Sequence, residues 1–431
     1  MPLNNSGPVG RRVAVVGGGI SGMAAAHLLA NDNRVVLFEA KARLGGHART
    51  VLAGKRGDQP VDTGFIVYNR VNYPHLVGLF EKLDVPVAES NMSFGASIRG
   101  GWLEYALASV DALFAQRSNI VNPSFLRMCR DILYFNKHAQ AAATDPGLTI
   151  GGLLDVLGTG PWFRDYYILP LSAAIWSTPS TGILDFPAHS LIRFFKNHAL
   201  MSLSGQHQWF TVRGGSIEYV RRLQAELVRQ HVDLRLGAAI AGIKRDAGGV
   251  HLRAVGGEWE HFDDLVMATH SDDALALLSD ASPEERGALG AVRYQSNSAV
   301  LHADANVMPK SRKCWASWVY TEPAGAPADK IDLTYWMNSL QPIPKDDPLF
   351  VTLNSNSPIR DELIYDQTSF RHPVYDLAAV AAQAQVRAMN GARNTWFCGA
   401  WMKNGFHEDG FGSAVDVVDA MQLRNALSAA A

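Results

Sequence analysis

Three consecutive glycines near the start of this 431-residue chain constrain its fold more than any other feature of the sequence. The segment Gly17-Gly18-Gly19-Ile20-Ser21-Gly22 follows the apolar run at residues 13–16 and precedes the alanine-rich apolar segment at residues 23–30. A short, continuous apolar run bounded by glycines is typical of a strand that is buried on both faces of a parallel sheet. The order of the segments therefore predicts a strand, a tight turn and a helix.

The glycines fit a pattern that binds a dinucleotide. Gly17, Gly19 and Gly22 have the spacing GxGxxG, in which the first allows a tight turn, the second lets the backbone approach a pyrophosphate and the third lets the helix pack on the strand. The N–H groups at the helix N-terminus, around Ser21, face the phosphates. A second apolar run ends in Glu39, whose carboxylate can accept hydrogen bonds from ribose hydroxyls. The sequence thus predicts a bound dinucleotide.

Length and composition narrow the other properties of the chain. Two domains are expected, because one hydrophobic core rarely serves so many residues. A formal net charge of -2 gives no basic excess for a phosphate backbone, so nucleic acid is not an expected partner. The three cysteines form no CxxC pair and indicate a reducing compartment. Neither a signal peptide nor a transmembrane helix is predicted, and we expect a cytoplasmic protein.

The segment after the second strand resembles a motif of one flavoprotein superfamily. Residues 39–50 read EAKARLGGHART, which is similar to the ExxxRxGGxxxT extension of the flavin-containing amine oxidoreductases. That superfamily includes monoamine oxidases, protoporphyrinogen oxidase, phytoene desaturases and polyunsaturated fatty acid isomerases. The resemblance implies that the dinucleotide is FAD, because two further glycines let backbone N–H groups reach its phosphates while a nearby cation offsets their charge. The implied cofactor contacts are Ala40, Lys41, Arg43, Gly45, Gly46 and His47. Relatives often carry arginine at the positions of Lys41 and His47.

The resemblance continues along most of the chain. Residues 61–67 are similar to the hydrophobic-Asp-x-Gly strand and turn beside the flavin, and Arg213-Gly214-Gly215 is similar to the turn that returns to the cofactor domain. Residues 395–401 and 409–415 resemble the closing strand and the helix whose N-terminus faces the flavin, where the positive dipole end stabilises an anionic reduced form. The further cofactor contacts that the resemblance implies are Gly64, Phe65, Ile66, Ile240, Ala268, Gly399, Gly410, Phe411, Ser413 and Ala414.

These motifs predict an α/β fold with two discontinuous domains. A Rossmann-like FAD-binding domain would combine residues 1–85, 205–290 and 385–431. An α+β substrate domain of the amine-oxidase-like type would combine residues 86–204 and 291–384, and the ligand would bind between the two domains.

Within the substrate domain, residues 86–204 read as mainly helical, with helices expected at residues 123–143 and 190–203. Three further segments have strand-like spacing and predict a sheet above the flavin: residues 298–301, 314–320 and 331–338. Alternation along the last of these places Tyr335 and Trp336 on opposite faces.

The chemistry of the site is less constrained than its cofactor. No set of histidines, cysteines or carboxylates has the spacing of metal ligands, so no metal is predicted. Cys398 lies inside an apolar strand and is expected to be buried, which favours non-covalent FAD. Amine-oxidising relatives carry a lysine near the flavin in a strand that aligns with residues 298–302, and no lysine occurs there. His407 and Glu408 precede the flavin-facing helix and are the candidate acid or base, unless they form a turn and helix cap.

The resemblance implies an FAD-dependent oxidoreductase that moves hydride to or from an unsaturated or modified fatty acyl chain, as a desaturase or a double-bond isomerase. Two alternatives stay open: an amine oxidase with an atypical site, and a non-catalytic flavoprotein that presents lipid to a partner methyltransferase. Residues 62–72, 297–304 and 405–410 look like a bacterial branch of predicted NAD/FAD-binding proteins encoded near cyclopropane-fatty-acid synthase-type enzymes. That resemblance implies a lipid-like substrate and such an enzyme as partner.

Two segments bear on a lipid substrate. Residues 162–176 and 191–203 mix aromatic residues, leucines and a few cations. This mixture is typical of a segment that touches a membrane surface or lines a tunnel, and also of an amphipathic helix in a domain core. The first interpretation predicts peripheral contact with the inner face of a membrane.

Overall fold

The protein is described by a computed structural model that covers residues 10–145, 147–177, 180–202, 205–325 and 330–430. Its strands, in chain order, are β1 Arg12–Val16, β2 Arg34–Glu39, β3 Thr50–Ala53, β4 Gln59–Asp62, β5 Val67–Asn69, β6 Val87–Ser90, β7 Phe94–Ile98, β8 Leu103–Ala106, β9 Trp209–Val212, β10 Asp233–Leu236, β11 Ile240–Asp246, β12 Gly249–Ala254, β13 Trp259–Phe262, β14 Asp264–Met267, β15 Arg293–His302, β16 Trp318–Thr321, β17 Asp332–Trp336, β18 Phe350–Leu353, β19 Ile364–Val374 and β20 Thr395–Phe397. Its helices are α1 Ile20–Leu29, α2 Pro74–Lys82, α3 Val110–Leu113, α4 Pro123–Ala142, α5 Ile150–Leu157, α6 Pro161–Phe163, α7 Leu169–Trp176, α8 Ser180–Ile183, α9 Ala188–Asn197, α10 Ile217–Arg229, α11 Ser271–Leu277, α12 Pro283–Gly290, α13 Met337–Leu340, α14 Leu377–Met389 and α15 His407–Ala430.

A five-stranded parallel sheet has the order β10-β2-β1-β14-β20. Its central strand β1 is the apolar run that precedes the glycines, and Val13 to Val16 are at most 4% exposed. Such a run is apolar throughout because helices and strands cover both faces of a parallel sheet. The predicted order of strand, turn, helix and strand is confirmed, and so is the mixed α/β fold.

The two faces of this sheet belong to different clusters of buried side chains. Val13 and Val15 pack with residues of α1, α10 and α15. Ala14 and Val16 pack with residues of the three-stranded sheet β11-β12-β13 and of α14. Successive residues of a strand point to opposite faces, so a single apolar run of four residues serves both layers.

A second, seven-stranded sheet has the order β19-β15-β18-β17-β16-β7-β8. It confirms the predicted sheet, with shifted bounds. The strand expected at 298–301 is longer, because β15 pairs with β19 along its whole length. Cys314 ends a 3-10 turn before the strand β16 begins at Trp318. Tyr335 and Trp336 do face opposite sides, since the first packs near Trp318 and the second against Trp315.

Residues 86–204 begin with three strands, β6 to β8, which the helical interpretation of this segment missed. The strand β6 pairs with β9, and β9 pairs with β5. This small sheet therefore joins strands from both sides of the domain limit that we place at residue 85. The helix expected at 123–143 is confirmed as α4, where Asn122 caps the N-terminus by accepting from the N–H groups of Ser124 and Phe125.

The helix predicted at 190–203 was placed too late. The helix α9 begins at Ala188 and ends at Asn197. Ala199 has a φ of +55°, and a residue with left-handed φ ends a helix. Residue 203 lies outside the described residues.

Apolar residues of both segments that had suggested membrane contact lie in the protein interior. Leu171 and Ile175 of α7 and Leu191 and Phe195 of α9 are at most 9% exposed and belong to one core cluster with the seven-stranded sheet. This burial is typical of an amphipathic domain core. Within the described residues, no helix is both long enough and apolar enough to cross a membrane.

A buried carboxylate joins the parts of the chain that surround the glycine turns. Asp62, at the end of β4, is fully buried and accepts hydrogen bonds from the Thr50 hydroxyl at 2.6 Å and from the N–H and hydroxyl of Ser216 at 2.7 to 2.9 Å. Gln341 donates to it from Nε2 at 3.0 Å and accepts from its N–H at 2.9 Å. Burial raises the pKa of Asp62 to about 6, although these donors oppose the shift.

We expect Asp62→Ala to lower the free energy of unfolding by about 3 kcal/mol or more, because it leaves several buried donors without an acceptor. Urea unfolding followed by circular dichroism measures the change. Asp58→Ala is the control on the same hairpin, since Asp58 makes only an exposed ion pair with Arg56 and should cost less than about 0.5 kcal/mol. Equal midpoints for both variants would contradict the role given to Asp62.

Candidate active site

The first glycine turn has no space for side chains. A Cβ on Gly22 would lie 1.8 Å from the carbonyl oxygen of Gly17, so the third glycine of the motif is needed for helix α1 to pack on β1. Gly19 stands at the N-cap and has no side chain with which to cap α1. The N–H groups of the first turn, around Ser21, therefore remain available to an anion.

The second glycine turn packs directly on the first. The N–H of Gly45 donates to the carbonyl of Gly18 at 2.8 Å, and a Cβ on Gly46 would lie 2.9 Å from the Cα of Gly19. Arg43 braces this turn from within, because its guanidinium donates to the carbonyls of Leu44, Gly46 and Ala48 at 3.0 to 3.2 Å. The resemblance had implied only a contact of Arg43 with the cofactor.

The polar groups around the two turns fit the expected FAD. The Glu39 carboxylate accepts from the N–H of Gly18 at 2.7 Å and from the N–H of Lys41 at 2.8 Å. These bonds fix its orientation and leave each oxygen a second lone pair for a ribose hydroxyl. The Nε2 of His47 is buried without a hydrogen-bond partner among the described residues. A buried polar atom of this kind is stabilised by a ligand that hydrogen-bonds to it.

The remaining predicted contacts near Glu39 are placed less closely. Ala40 and Lys41 are exposed. The carbonyl of Lys41 accepts from the N–H of Gly237, in the loop that leads to Ile240 at the start of β11. Ala268 follows β14 and lies beside the first turn, since its carbonyl oxygen would be 2.7 Å from a Cβ on Gly17.

The C-terminal helix begins against the N-terminus of α1. A Cβ on Gly410 would lie 2.8 Å from the Ser21 hydroxyl oxygen. The hydroxyl of Ser413 accepts from the N–H of Gly399 and donates to the carbonyl of Gly410, both at 2.8 Å. Phe411 and Ala414 are buried in the same core as α1. The structure thus brings two helix N-termini together beside the glycine turns.

Cys398 is fully buried, as predicted. Burial raises the pKa of its thiol to about 12. A thiol of this kind is inert, because the thiolate is the reactive form.

The turn after β4 connects the glycine turns to His407. Gly64 has no space for a side chain, since a Cβ would lie 1.9 Å from the carbonyl oxygen of His47, and that carbonyl accepts from the N–H of Phe65 at 3.0 Å. The Phe65 ring stacks on the His407 ring with centroids 3.9 Å apart. The next residue, Ile66, is buried in the core of the seven-stranded sheet. The Nε2 of His407 is 2.8 Å from the Tyr219 hydroxyl oxygen.

Four histidines meet at this junction, of which the sequence had singled out two. The His47 ring lies 5.8 Å from both the His270 ring and the His372 ring. Burial lowers the pKa of His47 and of His270 to about 4, and that of His372 and of His407 to about 3. All four are therefore neutral at physiological pH. His270 and His372 come from distant segments that carry no motif, so spacing alone could not have identified them.

Two carboxylates beside His270 are paired with an arginine. One imidazole nitrogen and two carboxylate oxygens, from His270, Asp272 and Asp273, lie within 4.8 Å of one another. The guanidinium of Arg371 donates to both carboxylates. We interpret this group as an ion-pair cluster at the edge of the site.

Glu408 has structural partners. Its two carboxylate oxygens accept from the N–H groups of His75 at 2.9 Å and Leu76 at 3.0 Å. Both residues are in the first turn of α2, where an anion offsets the helix dipole. The expectation that His407 and Glu408 precede the flavin-facing helix was wrong, because α15 begins at His407, and the helix that Glu408 caps is α2.

Comparisons with known proteins place these features in a family context. The sequence profile described as flavin containing amine oxidoreductase matches residues 20–306. A solved structure from Exiguobacterium sp. 255-15, assigned as a protoporphyrinogen oxidase, is 16% identical, with a TM-score of 0.73 and coverage of 97% of this chain and 100% of that chain. No curated protein sequence matches this chain.

Two further solved structures share the fold. The CLA-producing fatty acid isomerase from P. acnes is 15% identical, with a TM-score of 0.68 and coverage of 95% of this chain and 98% of that chain. Cyclohexylamine oxidase from Brevibacterium oxydans IH-35A is 16% identical, with a TM-score of 0.66 and coverage of 96% of this chain and 100% of that chain. At these identities the likeness extends to the fold alone.

We expect Gly46→Ala to weaken FAD binding by about tenfold or more, because the new methyl group would separate the two glycine turns. Gly57→Ala is a matched control. Both glycines have a left-handed φ, +56° and +72°, but a Cβ on Gly57 meets nothing within 4 Å. Each variant pays about 1 kcal/mol of backbone strain, and only Gly46→Ala should lose flavin. The flavin-to-protein absorbance ratio and an FAD titration measure the difference, and equal loss from both variants would contradict the packing argument.

We expect Glu408→Gln to speed hydrogen exchange of the His75 and Leu76 amides and to lower the free energy of unfolding by about 1 kcal/mol, because it weakens the cap of α2. Hydrogen-exchange mass spectrometry of the α2 peptide tests this, with Glu81→Gln on the exposed face of the same helix as the control of equal charge. Unaltered exchange at α2 would remove the capping role.

Proposed function

This chain belongs to the flavin containing amine oxidoreductase family, and we propose that its substrate is an unsaturated or modified fatty acyl chain. Membership makes the protein an FAD-dependent oxidoreductase. The proposal is that it acts as a desaturase or a double-bond isomerase, in the unit formed by residues 86–204 and 291–384 above the cofactor unit. In a desaturase the acyl chain would pass a hydride to bound FAD and a proton to a base and gain a double bond, and in an isomerase both would be returned at other carbons.

The residues that would hold FAD are those of the two glycine turns, Glu39, the His47 ring and the N-terminus of α15. Bound FAD supplies a hydride acceptor and donor. The chain's own residues position the substrate and exclude water. Cys398 is buried with a raised thiol pKa, which supports the proposal that FAD is held without a covalent bond.

The neutral histidine cluster is the observation that carries the substrate proposal. An amine substrate is a cation at neutral pH, and a desolvated cation needs an anion or an aromatic cage. His47, His270, His372 and His407 supply no charge, and the carboxylates beside His270, those of Asp272 and Asp273, are already paired with Arg371. Burial of an uncharged acyl chain has no such desolvation cost, so a neutral site favours an acyl chain over an amine cation.

The strand β15 supports the same choice. It contains no lysine, whereas the resemblance to amine-oxidising relatives had implied one in this strand. Asn297 of β15 donates to the Nδ1 of His372 at 2.7 Å, which assigns the acceptor role to Nδ1 and keeps the ring neutral. This segment therefore presents neutral hydrogen-bonding groups at the place where an amine oxidase would carry a lysine side chain.

We propose that His407 is the polar side chain closest to the carbons of the acyl substrate that react. Its neutral ring is fixed by the Phe65 stack and the Tyr219 hydroxyl, so it can orient a bond or relay a proton without a change of position. The resemblance to the bacterial branch supports a lipid-modifying enzyme of the cyclopropane-synthase or methyltransferase type as the partner that supplies or consumes the acyl lipid.

Anaerobic mixing of the flavin-loaded enzyme with acyl lipids and with amines tests the proposal. We expect the visible flavin absorption to bleach with an unsaturated fatty acid, or a shifted double bond to appear in the product without net bleaching. Cyclohexylamine and putrescine should cause neither change, because the neutral site offers no partner for a cation. Bleaching by the amines alone, with unchanged acyl lipids, would overturn the proposed substrate.

A further inference from the structure

A crevice of about 300 Å³ opens between α9, α14 and the chain near Met402. Its volume is at the lower end of the range for small-molecule sites. The lining includes the apolar side chains of Trp176, Phe186 and Leu191. It also includes three cationic side chains, Arg193, Arg387 and Lys403.

The charged side chains of this lining are all positive. No aspartate or glutamate is among the described residues that line the crevice. Lys403 pairs with Asp416 at 3.0 Å. Arg387 donates to the carbonyl of Met402 at 2.9 Å, and Arg193 has no ion-pair partner within the described part of the chain. Two guanidinium charges therefore remain without an anion.

The neighbouring histidine responds to this positive charge. His189 lies in the first turn of α9 and lines the same crevice. Burial, and then the Arg193 guanidinium, lower its pKa. A neutral His189 is a hydrogen-bonding group beside the two cations, so the crevice can neutralise and hydrogen-bond one anion.

Aromatic rings connect the crevice to the candidate active site. The Trp176 ring lies 4.9 Å from that of Phe194, and Phe194 stacks on Phe406 at 4.9 Å. Phe406 precedes His407 in the chain, and His407 stacks on Phe65. A layer of packed aromatic rings therefore joins the lining of the crevice to the residues around His407.

We propose that this crevice binds the anionic head group of the acyl substrate, with Arg193 and Arg387 as its ligands. The inference rests on the proposed function, because it assumes that the substrate carries an alkyl chain. A carboxylate and a phosphate have the same recognition chemistry here, since a guanidinium binds either one in a bidentate manner.

The test measures the affinity of the flavin-loaded enzyme for oleate, oleyl phosphate and oleyl alcohol by isothermal titration calorimetry. We expect at least one of the two anions to bind roughly tenfold more tightly than the alcohol, and the stronger anion identifies the head group. Arg193→Gln and the double variant with Arg387→Gln should abolish this preference and leave the affinity for the alcohol unchanged. Arg286→Gln, on the exposed face of α12, makes the same charge change and should have no effect.

The possible failures are distinct. If an anion preference persists in the double variant, or if Arg286→Gln removes it equally, the crevice is not the head-group site, whereas the proposed function stands. If none of the three amphiphiles binds to the unaltered enzyme, both the proposed function and this inference are wrong. Arg193→Gln is the most direct variant, because it removes no ion pair among the residues that the structure describes.

Discussion

The structure of the site depends on one buried carboxylate, Asp62, which accepts hydrogen bonds from several donors at once. Asp62 binds Thr50, which ends the motif of the second glycine turn, and Ser216, which follows the Gly214-Gly215 turn. It also binds Gln341, in the connection between β17 and β18 of the seven-stranded sheet. A buried anion is costly unless several donors surround it. The need to satisfy Asp62 thus brings together three segments that are far apart in sequence, and the glycine turns are held in place as a result.

The four histidines, in contrast to Asp62, are buried in their uncharged form. His47, His270, His372 and His407 lie where desolvation exceeds any attraction from nearby anions, so the folded state keeps them neutral. Asp62 and the histidines therefore divide the junction into a charged structural part and an uncharged reactive part. The proposed substrate class rests on the second part, because a neutral surface disfavours a desolvated cation and costs a hydrocarbon nothing.

Local features of the fold could be predicted from the sequence. Strand β1, the glycine turn, α1 and Glu39 are contiguous, and their periodicity and spacing are set by a single unit of structure. The cap of α2 could not be predicted in this way, because Glu408 reaches the His75 amide across 333 positions. Likewise, the strands β6 to β8 depend on partners elsewhere in the chain. His372 and His270 carry no local signal, since pairing of β19 with β15 and the loop after β14 decides where they lie.

The packing of α15 against α1 has an electrostatic consequence. Gly410 lies against Ser21 because no side chain separates them, and both residues are in the first turns of their helices. Each helix N-terminus carries a partial positive charge, so two adjacent N-termini repel each other weakly. An anion bound at the first turn of α1 removes that repulsion and adds hydrogen bonds to the free N–H groups. Cofactor binding is therefore coupled to the docking of the C-terminal helix, and the free energy of FAD binding contributes directly to the stability of the folded chain.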